Sequence, residues 1–118
     1  KLPIQYAMGY PTRLRSDFPR FNFMNYPQLT FEQPDKSTFR NLALAYEAME
    51  KGGNMPCILN AANEVTVAAF LQDKIKFLQI QEFNEIAMQK AHFIEHPSLD
   101  QYLETDKDTR ALIHDLIQ

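Results

Sequence analysis

Leu59-Asn60-Ala61-Ala62-Asn63-Glu64-Val65-Thr66-Val67-Ala68-Ala69-Phe70-Leu71 is the stretch on which the fold turns. Between Val65 and Leu71 only Thr66 is polar, and a helix that is apolar on nearly every side has to be enclosed on nearly every side. Asn60 has N-cap chemistry, so a helix is predicted from near Asn60 to about Gln72. Ala61, Ala62, Ala68 and Ala69 permit close approach of neighbours, which makes this the central helix of a bundle. Two asparagines and a glutamate at the head of such a helix need partners, because buried amides do not stay unpaired. Two roles fit Asn60, Asn63 and Glu64. One is a substrate-binding cluster. The other is a polar network that caps the helix and ties down the loop before it, the usual use of buried networks.

Upstream of this helix, Asp35 or Ser37 can cap an earlier one. Phe39, Leu42, Tyr46 and Met49 then fall on one helical face, and Gly52-Gly53 provides the stop. Downstream, Lys74-Ile75-Lys76-Phe77 alternates and reads as a short extended link. A third helix carries Phe83, Ile86, Ala87 and Ile94 on one stripe, and His96-Pro97 ends it, since the residue before proline avoids helical geometry. Ser98-Leu99-Asp100-Gln101 has the form of a capping box and opens a short helix. Asp106 is placed to cap a last helix whose stripe is Thr109, Leu112, Ile113, Leu116 and Ile117. The expected fold class is therefore mainly α: a small C-terminal four-helix bundle over residues 36–118.

The first 34 residues differ. They hold Pro3, Pro11, Pro19, Pro27 and Pro34 of the chain's seven prolines, together with Tyr6, Tyr10, Phe21, Phe23 and Tyr26. Proline is excluded from helix interiors and sheet centres, so extended segments and turns are expected, with one short strand at residues 28–32. So many aromatics with so little regular structure need another surface to bury them. The start is apolar, as if the chain were cut inside a folded region. Self-association, or disorder of the first part, is expected of the isolated chain.

Composition bounds the rest. At 118 residues, 45% hydrophobic and 23% charged, the chain has material for one packed domain. A net charge of −3 lacks the basic footprint of a nucleic-acid binder, and no apolar run reaches the length of a membrane span. The single cysteine, Cys57, excludes an internal disulfide framework and fits a reducing compartment.

Candidate chemistry is sparse. His92, His96 and His114 lack the converging N and S ligands of a zinc site. Cys57 has no neighbour in sequence to lower its pKa and reads as a small buried hydrophobe. Glu82, Glu85, Asp106 and Asp108 sit at expected helix starts, where negative charge complements the macrodipole. Gly52-Gly53 is followed by Asn54-Met55-Pro56 rather than by the Lys-Ser/Thr of a phosphate loop. Arg13, Arg15 and Arg20 lie beside Asp17 on what reads as an ordinary loop surface.

Taken together, Leu44-Ala45-Tyr46-Glu47-Ala48, Gly52-Gly53-Asn54-Met55-Pro56 and the Asn60–Leu71 segment strongly resemble the C-terminal part of the 1-deoxy-D-xylulose 5-phosphate reductoisomerase family. Ile75, Phe77 and Ile80 continue the likeness. Asp106-Lys107-Asp108-Thr109-Arg110 looks like the family's Asp-x-x-Ala-Arg, with Thr109 departing from it. Leu2-Pro3-Ile4-Gln5-Tyr6-Ala7, Tyr10-Pro11 with Arg13, and Leu29-Thr30-Phe31 with Pro34-Asp35 extend it over essentially the whole chain.

The resemblance implies a parent enzyme with an NADPH-binding domain, a catalytic domain holding Mg2+ or Mn2+, and a helical C-terminal domain. This chain would then comprise the tail of the catalytic domain (1–26), a linker with a short strand (27–35) and the helical bundle (36–118). The implied reaction is isomerisation of 1-deoxy-D-xylulose 5-phosphate and its NADPH-dependent reduction to 2-C-methyl-D-erythritol 4-phosphate, in non-mevalonate isoprenoid biosynthesis. The implied setting is a cytoplasmic homodimer, with the upstream domains of the same chain as partners. No catalytic, cofactor or metal residue maps onto these 118 positions, so the piece alone is expected to be inactive. Asn60, Asn63 and Glu64 become a structural motif that caps the central helix and fixes the 52–58 loop. The competing expectation is a free-standing helical interaction module.

Overall fold

The computed structural model describes residues 2–118, which fall into two compact units, one within residues 1–32 and the other Gln33–Gln118. Five helices occur in the order α1 (Leu2–Gly9), α2 (Arg40–Lys51), α3 (Met55–Leu71), α4 (Phe77–Lys90) and α5 (Leu99–Ile117). The class is mainly helical, as expected, and there is no strand among the described residues. The strand anticipated at 28–32 is not formed. A lone extended segment has no ladder partner for its backbone groups.

The first unit departs from its expected extended form, because α1 is helical despite Pro3. Proline in the first helical turn removes only an N–H that has no intrahelical acceptor anyway. None of α1's residues is buried. The rest of the unit is held by ring contacts: Tyr6 with Tyr10 at 5.9 Å, and Phe21 with Phe23 at 4.9 Å and with Tyr26 at 5.2 Å between centroids.

In the second unit Asp35 caps a turn rather than a helix. Its carboxylate accepts from the backbone N–H groups of Ser37 at 2.9 Å and Thr38 at 3.1 Å and from both hydroxyls. These bonds, the Ser37 hydroxyl's first, hold its pKa well below the usual carboxylate range. Helix α2 follows only at Arg40, with no side-chain cap. The expected stripe is not the buried one: Phe39, Tyr46 and Met49 are exposed, while Leu44 and Ala48 face the core at 1% exposure. Two apolar stripes compete here. The one carrying a small alanine allows the closer approach to Met55 and Ile58, with which Ala48 clusters.

Gly52 ends α2 at φ +67° and its N–H bonds the Ala48 carbonyl at 3.1 Å, so the glycine stop is as read. Helix α3 begins at Met55, five residues before the expected start, with Pro56 in its first turn and Asn54 at the N-cap. It packs against α2, α4 and α5 and is the central helix. Met55, Ile58, Ala61, Ala62, Val65, Thr66 and Ala69 are buried along it. Phe77, expected in a link, opens α4, where the Gln79 side chain accepts from the Lys76 N–H at 2.8 Å. That helix stops at Lys90, short of Ile94 and His96-Pro97.

The Ser98/Gln101 capping box forms as read. The helix it starts is one continuous 19-residue α5 rather than two, and Asp106 lies inside it. Of the anticipated stripe, Thr109 and Ile113 are fully covered.

Candidate functional site

The polar motif of α3 sits in mid-helix, so Asn60, Asn63 and Glu64 do not cap it. Asn54 occupies the N-cap position without a side-chain cap bond, and loop-fixing falls to its side chain. Asn54 has no exposed surface. Its side-chain amide donates to the His92 carbonyl at 2.9 Å and to Thr105 Oγ1 at 3.0 Å, while its Oδ1 accepts from the Ile94 N–H at 2.9 Å. The Asn54 N–H donates to the Ile94 carbonyl at 3.0 Å. One side chain thus joins the α2–α3 turn, the α4–α5 connection and α5. Gly53 beside it has φ +54°, and a Cβ there would lie 2.3 Å from the Ile94 carbonyl oxygen. The Gly-Gly-Asn sequence was the available signal: a helix stop followed by a residue able to mimic backbone on both sides.

Asn63 belongs to a second network. Asn84 of α4 is 1% exposed and donates to Asn63 Oδ1 at 3.1 Å and to Asn41 Oδ1 at 3.0 Å. Its own Oδ1 accepts from the fully buried Thr66 hydroxyl at 3.2 Å. Helices α2, α3 and α4 are therefore tied through one amide.

Asn60 and Glu64 belong to a third. The exposed Asn60 amide donates to Glu64 Oε1 at 3.1 Å. Arg110 of α5 donates to Glu64 Oε2 at 2.7 Å and grips Asp106 with two bonds, at 2.8 and 3.0 Å. The hydrogen bonds from Arg110 lower the pKa of both Glu64 and Asp106 and raise that of the guanidinium. The α3 and α5 motifs quoted from the sequence are thereby one structure, an ion-paired clasp. Thr109, where the family pattern has alanine, is 2% exposed, and its hydroxyl is buried without a hydrogen-bond partner.

The remaining candidates do not converge. Among the described residues no group of three His, Cys, Asp or Glu side chains is placed to hold a metal ion. Cys57 is half-buried, and burial raises its thiol pKa, the reverse of nucleophile activation. Glu85 pairs with Arg40, which also holds Glu47 at 2.6 Å. Arg13 lies over the Tyr6 ring at 5.6 Å. No helix among the described residues is long and apolar enough to cross a membrane.

What this arrangement can do is hold helices in register. It is a helical module built on amide staples and an ion-pair clasp. Residues 1–112 match the family described as the DXP reductoisomerase C-terminal domain, and the chain belongs to that family. It is similar to the 1-deoxy-D-xylulose 5-phosphate reductoisomerase of Bacteroides thetaiotaomicron, at 56% identity over 99% of this chain and 30% of that protein. It is likewise similar to that of Bacteroides fragilis, at 54% identity over the same shares. A solved structure of the reductoisomerase from Zymomonas mobilis in complex with NADPH superposes with a TM-score of 0.85 at 34% identity, over 99% of this chain and 31% of that one. The chain thus spans about a third of the length of the relatives it matches.

Proposed function

We propose that these residues are the C-terminal portion of a reductoisomerase that converts 1-deoxy-D-xylulose 5-phosphate to 2-C-methyl-D-erythritol 4-phosphate with NADPH and Mg2+ or Mn2+, in the non-mevalonate route. The observation that carries this reading is the match through 99% of the chain to reductoisomerases three times its length. In it, the part before residue 27 is the tail of the catalytic domain, 27–35 a linker, and 36–118 a four-helix bundle domain. The parent works as a cytoplasmic homodimer. The bundle's contribution is mechanical: Asn63 and Glu64 join α3 to α4 and α5, Asn60 holds Glu64 in place, and the nucleotide, metal and substrate are held elsewhere in the parent.

Residues here are suited to that role. Glu47, Glu64, Glu85 and Asp106 form ion pairs and Asp35 holds a turn, and the one thiol has a raised pKa.

The test is direct. Joined to the first two-thirds of a reductoisomerase, the chain supports substrate-dependent oxidation of NADPH, while the isolated 118 residues neither bind NADPH nor oxidise it. Nucleotide binding by the isolated chain in a titration overturns the assignment of chemistry to the missing part.

A further inference from the structure

Helix α3 is the most apolar of the four helices in its unit, and it is covered on three sides by α2, α4 and α5. Within residues 33–118 no helix covers its fourth side. Pro56, Asn60, Glu64, Ala68 and Leu71 recur at helical spacing, and all are exposed, Leu71 at 74%. Solvated helix faces carry charge, and α5 shows this with Glu104, Lys107, Asp108 and Asp115 outward. The α3 face is different. Glu64 is the one charged residue in the 17 of this helix, and it pairs with Arg110, which also holds Asp106. A face with a single charge and an exposed leucine differs from the solvated faces of the unit, in the depletion of charge that interface centres share. Among the described residues two amide groups have no partner, the Asn60 carbonyl oxygen on this face and the NH2 of the half-buried Asn63 beside it, whose other ends hold Glu64 and Asn84. Neither position is needed as a helix cap, and the bond from Asn60 to Glu64 uses only the NH2 end of that amide.

We propose that the outward stripe of α3 is a docking face for the part of the parent polypeptide that lies outside these 118 residues. The Asn60 acceptor and the Asn63 donor grip that partner through its backbone, and Ala68 lets it approach closely. The occupant follows from length: matched relatives carry about two-thirds of their chain beyond the region shared with this one. The inference rests on the reading that the chain is part of such an enzyme.

The experiment uses the B. thetaiotaomicron reductoisomerase with its matching residues replaced by this chain, alongside the isolated 118 residues. Hydrogen exchange is followed at the core amides of Ala61, Ala62 and Val65. These exchange about tenfold or more slowly in the whole enzyme than in the isolated chain. Asn60→Arg and Ala68→Arg, at exposed positions, each abolish the excess protection in the whole enzyme and leave the isolated chain unchanged within about twofold. Equal protection in the two contexts, or an excess that survives both substitutions, overturns the proposal. So does a dimer of the isolated chain that Asn60→Arg dissociates, because the occupant would then be a second copy. Exchange is read whether or not the hybrid turns over substrate. A hybrid that shows the excess protection but lacks activity tells against the functional reading alone.

Discussion

The two units of this chain are built from equally apolar sequence and end in opposite states. Within residues 33–118, Leu44, Met55, Ile58, Ala62 and Ile113 reach 0–1% exposure, and Asn54, Thr66 and Asn84 have their polar atoms paired inside the unit. Within the first 32, Leu2, Ile4, Met8, Phe23 and Met24 are 65–85% exposed, and α1 buries nothing. Hydrophobic content alone does not make a core. A core needs elements long enough to present one face to another, and closure of the polar groups that go in with it. The first unit has one 8-residue helix and rings that meet in small groups, edge-on or stacked. The second has four longer helices stapled at their turns.

The contrast can be broken most strongly at its centre. Ile58→Ala, at full burial between α2, α4 and α5, costs about 2–5 kcal/mol in chemical denaturation. Met8→Ala or Phe23→Ala in the first unit stays within about 0.5 kcal/mol. A comparable loss from Met8→Ala would show that the first unit holds a core of its own. The next largest effect is at the staple. Asn54→Ala leaves the Ile94 N–H and the His92 carbonyl without their side-chain partner, at about 1–3 kcal/mol for each group left unpaired. Circular dichroism melts show the loss, and exchange at Ile94 rises first.

Thr109→Ala works in the other direction. It removes a buried hydroxyl that has no partner and installs the better helix former, so the chain gains up to about 1 kcal/mol. A loss of that size in the melt would mean that the hydroxyl is bonded after all. The smallest effect is on the exposed clasp. Folding lowers the pKa of Glu64 and Asp106, so their contribution is present above the ordinary carboxylate pKa of about 4 and fades as pH falls through the lowered values. Acid titration of the melting midpoint therefore shows a decline that Arg110→Gln flattens, and added salt reduces it.

How much of this was legible beforehand depended on the range of the forces involved. The glycine stop at Gly52, the Ser98/Gln101 capping box and the central position of α3 rest on residues within a few positions of one another, and each was readable. Residue type marks both Asn60 and Asn54 as N-caps, and α3 starts after Asn54, whose side chain makes no cap bond. Only the contact of Asn54 with Ile94, 40 residues away, decides between them. The buried stripe of α2 was misplaced for a similar reason. Periodicity finds both apolar faces, and the partner selects the one with Ala48. Pro3 misled because a proline's effect depends on where in a helix it falls.

The candidate site divides along the same line. The residue types of the polar motif, and the likeness that places the chain in its family, were determined by the sequence alone. So were the helical class and the absence of any membrane-length run. The pairings were decided by tertiary structure: Glu64 with Arg110 at a separation of 46 residues, and Asn84 with Asn41 at 43. An amide or a carboxylate carries its bonding capacity in its own atoms. Its partner is set only when packing brings distant helices within hydrogen-bond reach, and that packing is a property of the whole core.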